Sequence, residues 1–250
     1  MNFLALQAPD ISSGDGGSIA VLIVATTIVF LQVFWRRTRA LSGMTLDEAR
    51  RALATLEQEG RRDVRTEAHV AALLSWSAAY AALLFLSFAA AGFFDTGSPE
   101  EEARWAADRG TSRVFAGLLA AEAFGLWSAA RGMARGRERV RWSASALLTL
   151  VSLTSVGVGL FQAGHWSAGA RISNLVLHGA VAVYAVAGAV FLLLPRCARL
   201  CAPEYREIVR ETKGAATDVA VSFARMKSPF SWVPVALLVV MLVLKQVLKS

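Results

Sequence analysis

Apolar stretches about as long as a lipid bilayer is thick recur along this chain, and they limit its fold more than any other feature. A helix of about 20 residues crosses roughly 30 Å of hydrocarbon. Runs of that order occupy 18–35, 70–94, 114–130, 143–164 and 172–194. Several stop at a charge or a helix breaker: Arg36 after the first, Arg131 after the third, Pro195 after the fifth. A sixth run, Phe230 to Leu244, is shorter. It crosses if Lys245 and Lys249 extend their alkyl stems to the far interface. A helix satisfies its backbone polar groups within one segment, as lipid demands. The sequence therefore predicts an all-α protein, a polytopic transmembrane helix bundle of five to six spans with short interfacial and extramembrane helices.

Charge supports that reading and excludes another. Only 18% of residues are charged, against about 25% in an ordinary soluble domain. The net charge of +7 could suit nucleic acid, but binders of that kind gather Lys and Arg into one stripe or patch. Here the cations sit at the ends of apolar runs, the pattern of membrane topology. No nucleic-acid partner is expected; membrane lipids and other membrane subunits are.

Lys and Arg also set the orientation. The tail before Ser18 has none, the segment 36–69 has eight, 95–113 three, 131–142 five, 165–171 one and 195–231 seven. Twenty thus fall on one side and four on the other. By the positive-inside rule the N-terminus lies outside, on the lumenal, periplasmic or intermembrane side. A bacterial inner membrane and an organellar one, such as the mitochondrial inner membrane, both fit. The N-terminal tail has no basic stretch and carries Asp10 and Asp15, so it does not read as a secretory leader. Trp35, Trp76, Trp142, Trp166 and Trp232 mark the expected interfaces.

The organisation follows: an outside tail 1–17, a five-span bundle 18–194, an inside amphipathic segment 195–229, and a C-terminal apolar segment 230–250 as the probable sixth span. Within the first inside loop, Thr45-Leu46-Asp47-Glu48 is a capping box that opens a helix over 45–60. In the second inside segment Pro203 suits a first helical position. Further on, Ala216, Val219, Ala220, Phe223 and Met226 recur at helical spacing. That segment lies under the membrane or packs on the other inside helix.

Few residues could carry chemistry. Glu122 stands in the middle of the third run. A charged carboxyl there costs about 2.5–3.5 kcal/mol by insertion scales, so it must be neutral, paired or facing water. The third and fifth spans run in the same direction. Glu122 lies about 12 Å below Val114 and His178 about 9 Å below Ile172. Thr26 and Thr27 fall about 12–14 Å below Ser18. The expectation is an intramembrane polar site of Glu122, His178, Thr26 and Thr27, acting either as interhelical glue or as a proton or cation site. Gly117, Ala121, Gly125 and Ala129 form a small-residue stripe on the same helix, the kind that lets backbones approach closely.

Other patterns lead nowhere. Asp95-Thr96-Gly97-Ser98 has the letters of an aspartic-protease motif without the second aspartate or a β-rich domain. His69 and His165 sit at opposite rims, so haem finds no facing pair. Cys197 and Cys201 have no second cysteine pair or nearby histidine to complete a zinc site. No cofactor and no metal is implied. The function expected is a non-catalytic accessory or structural subunit of a larger membrane complex, with a small transporter or proton- or cation-coupled channel centred on Glu122 and His178 as the alternative.

Overall fold

The computed structural model describes residues 46–59, 62–93, 99–133, 135–163, 168–212, 221–222 and 224–247. These are helical with no strand among them. In chain order the helices are α1 (Leu46–Gln58), α2 (Val64–Phe93), α3 (Pro99–Met133), α4 (Glu138–Ala163), α5 (Ala168–Leu193), α6 (Pro195–Arg199), α7 (Pro203–Glu211) and α8 (Pro229–Val247).

Local chemistry sets several boundaries. Asp63 caps α2: its carboxylate accepts from the Thr66 amide at 3.0 Å and from the Thr66 hydroxyl at 2.7 Å. Gly136 turns the chain between α3 and α4 at φ 64°, a conformation that favours glycine. Leu194 is extended (ψ 148°) because it precedes Pro195. Pro195 and Pro203 then open α6 and α7, where a missing amide hydrogen is harmless.

The long helices pack on their chain neighbours: α2 on α3, α3 on α4, α4 on α5. Helices α2 and α5 also meet, and α8 lies against both. A β-carbon added at Gly188 of α5 would collide with Leu73 Cδ1 of α2, so the glycine is what allows that approach. Two apolar clusters fill the interior. One runs through Leu73, Leu74, Leu126, Leu148, Val151 and Leu192. The other, smaller, joins Ala81, Phe88, Leu119 and Val158 under the rings of Phe115 and Phe161. A third lies at the start of α2, where Val64 and Ala68 meet Leu56 of α1 together with Val221 and Ala224.

Among the described residues three helical segments are long and apolar enough to cross a membrane by length and composition: Val64–Leu86, Glu138–Phe161 and Asn174–Leu193. This suggests a membrane protein. The number is smaller than the five to six spans expected from the sequence. The first expected span, 18–35, lies outside the described residues. The third is embedded in α3, a helix of 35 residues whose first part is polar. Within its apolar part, Glu122 and the terminal Arg131 dilute the hydropathy. The sixth coincides with α8, which contains Pro234.

Candidate functional site

A belt of polar side chains separates the two main apolar clusters. Glu122 lies between Leu119 of the smaller cluster and Leu126 of the larger one. Thr154 and Ser155 lie between Val151 and Val158 on α4, and Tyr80 stands beside Ala81 on α2. Glu122, Thr154, Ser155 and His178 are all buried, Glu122 and Ser155 completely.

Two hydrogen-bonded groups make up the belt. In the first, the Thr154 hydroxyl donates to Glu122 Oε1 at 2.5 Å. In the second, the Tyr80 hydroxyl lies 2.8 Å from His178 Nδ1 and 2.9 Å from Ser155 Oγ. Ser155 also donates to the backbone carbonyl of His178 at 3.0 Å. That donation uses the only serine proton. Tyr80 then donates to Ser155, and His178 Nδ1–H donates to the tyrosine oxygen. Gly159, one turn along α4, admits the histidine: an added β-carbon there would stand 3.0 Å from His178 Cβ.

The expected site is therefore only partly assembled. Glu122 and His178 do not bond to each other; each reaches α4 instead, at the adjacent residues Thr154 and Ser155. Depth along a helix placed them at one level, whereas helix rotation chose the partner. Thr26 and Thr27 lie outside the described residues. Sequence reasoning does not reach Tyr80, Thr154 or Ser155 as members of a polar site. A tyrosine mid-way along an apolar run, away from the interfacial belt, was the available signal. Glu122 Oε2 is buried and has no hydrogen-bond partner among the described residues.

The small-residue stripe of α3 divides between two directions. Ala129 is in the larger cluster, and Gly125 faces Leu147 of α4, whose Cδ1 an added β-carbon would meet at 3.0 Å. Gly117 and Ala121 are exposed, and nothing lies within 4 Å of a β-carbon added at Gly117.

A second polar cluster occupies the other end of α2. Arg62 forms a bidentate pair with Glu67, both bonds 2.8 Å. It donates also to the Thr212 hydroxyl at 3.1 Å. Tyr205 of α7 donates to Glu67 at 2.6 Å and accepts from the Asp63 amide at 2.9 Å. Burial, and then the Glu67 carboxylate beside it, push the Tyr205 phenol well above its ordinary range. Nearby, Cys197 and Cys201 are free and buried. Burial pushes the Cys197 thiol up to about 12, so it stays protonated and unreactive at neutral pH. Among the described residues no group of three or more His, Cys, Asp or Glu side chains is placed to hold a metal ion.

Comparison of the chain with models of protein families, with curated proteins and with solved structures gave no match.

Proposed function

We propose that the protein is a multi-pass integral membrane protein with its N-terminus outside, and that it serves as a non-catalytic, structural subunit of a larger membrane assembly. In this reading α3 and α8 cross with α2, α4 and α5, and the run 18–35 adds a further span. The observation that carries it is the use of the polar belt. Thr154, Ser155, Tyr80 and His178 spend their hydrogen bonds joining α2, α3, α4 and α5. Bonds of that kind act as interhelical glue in lipid.

The outward half of the α3 stripe supports a partner. Gly117 and Ala121 lie beside exposed Val114, Leu118 and Phe124, a surface on which another helix can approach closely. Gentle detergent extraction and native electrophoresis test this. Wild type should migrate in a defined complex much larger than one chain with its detergent. Ala121→Leu should release the chain from it while leaving the fold intact. Migration as a small species, unchanged by the substitution, would refute the subunit reading.

One observation favours a transporter or proton- or cation-coupled channel instead: the buried Glu122 Oε2 that lacks a partner. A carboxyl oxygen of that kind could exchange a proton or hold a cation. Flux in proteoliposomes that disappears in Glu122→Gln would establish it.

A further inference from the structure

Between α3 and α4, where both helices run into the Gly136 turn, an open groove of about 430 Å³ is polar at one end and apolar along the rest. Gly125, Ala129, Val140 and Leu147 line its apolar part. Arg131, Arg135 and Arg137 line its mouth, and all three are exposed. The Arg131 guanidinium carbon sits 3.6 Å above the ring of exposed Trp127, which holds that cation at the rim. No carboxylate among the described residues pairs with any of the three arginines. Gly132 lets α3 and α4 close at the base of the groove: a β-carbon there would meet Val140 at 2.8 Å.

We infer that this groove binds an anionic phospholipid of the inner leaflet, with the phosphate at the three arginines and an acyl chain against Gly125 and Leu147. The inference rests on the membrane-spanning reading above, which puts residues 131–142 on the positively charged inner side. A phospholipid presents charge and hydrocarbon in the order the groove receives them. From Arg131 to Gly125 is about 9 Å along the helix, the reach of the first part of an acyl chain. A free phosphate would leave the apolar floor unused. Basic pockets between helices on this side of a membrane suit anionic head groups.

Native mass spectrometry of the full chain, released from detergent with dioleoylphosphatidylglycerol or dioleoylphosphatidylcholine, tests this. Phosphatidylglycerol should bind at least about tenfold more tightly, since each arginine near a lipid surface contributes about fivefold. The triple variant Arg131→Gln, Arg135→Gln, Arg137→Gln should lose the preference. A matched triple at exposed inside arginines that do not line the groove, Arg196→Gln, Arg199→Gln and Arg210→Gln, should keep it. The single Arg137→Gln, at an exposed turn, should show a few-fold loss even if the triple variant fails to fold. Equal binding of the two lipids, equal loss in the control triple, or displacement of the lipid by millimolar inorganic phosphate would each overturn the site. Alkaline carbonate extraction of the same membranes separates the two ideas. A chain that stays in the membrane but shows no lipid preference defeats this inference alone, while release into the supernatant defeats the spanning reading.

Discussion

The polar belt in the middle of the bundle and the polar cluster at the start of α2 join helices by opposite means. The belt uses hydroxyls, one imidazole and one carboxyl, with no opposed charges. The cluster uses a buried guanidinium–carboxylate pair, with Tyr205 and Thr212 taking up further donors and acceptors. On the membrane-spanning reading proposed above, depth explains the choice. A charge at mid-bilayer is costly, whereas at the rim Glu67 keeps some exposure and the pair can be fully hydrogen-bonded. Strong, charge-assisted bonds therefore close the end of the bundle, and weaker neutral ones set helix rotation in its interior.

The contrast predicts unequal losses. Glu67→Ala should have the largest effect. It removes the carboxylate that pairs with Arg62, whose side chain is only 7% exposed, and it removes the acceptor of Tyr205. Breaking a buried pair from one side costs about 3 kcal/mol or more. Thermal unfolding in mild detergent should show a marked drop. A change smaller than that of any belt substitution would reverse the ranking of the two regions.

Next comes the apolar contact that lies between them. Gly188→Ala would drive a methyl into Leu73, which is fully buried, and overpacking of that kind costs about 1–3 kcal/mol. Gly117→Ala, on the open face of α3, should be neutral in the same assay. If both variants behave alike, α2 and α5 are not held as closely as described.

Sequence made the helical class legible, because apolar runs of bilayer length leave a chain few alternatives. It does not mark the helix ends. Hydropathy locates lipid, so the expected span starts at Val114, while α3 extends back to Pro99 through polar residues that no apolar period marks. In the same way α2 begins at Val64, before the apolar run, because Asp63 caps it there. The polar belt was half legible. Glu122 and His178 are anomalous in hydrocarbon and announce themselves. Thr154 and Ser155 do not, since hydroxyls are common in membrane helices, and only the rotation of α4 turns both inward. The small-residue stripe was visible as a pattern, but its division into inward Gly125 and Ala129 and outward Gly117 and Ala121 depends on where α4 lies.

A smaller effect tests how α8 joins α5. Pro234 removes the amide that would bond the Phe230 carbonyl within α8. The Tyr184 hydroxyl of α5 donates to that carbonyl at 3.0 Å instead. Tyr184→Phe keeps the ring contact with Phe230 and deletes only this bond, which predicts a loss of about 1 kcal/mol. Unchanged stability would mean that α8 is held by its apolar contacts alone.

The smallest effect belongs to Glu122, and there the small size is itself informative. Among the described residues only Thr154 bonds to it, and the acceptor is Oε1. Glutamine keeps an acceptor oxygen at that position and the same side-chain shape, while its amide cannot release a proton. If Glu122 is glue, Glu122→Gln should unfold at the same temperature as wild type. Glu122→Leu should then cost on the order of 1 kcal/mol, the scale of one interhelical bond. Thr154→Val should match the leucine variant, and the double variant should cost no more than either single one, because all three delete the same bond. A glutamine variant that folds normally but loses ion or proton flux would set the belt apart from the Arg62 cluster in function as well as in chemistry. It would also displace the structural reading in favour of transport through Glu122.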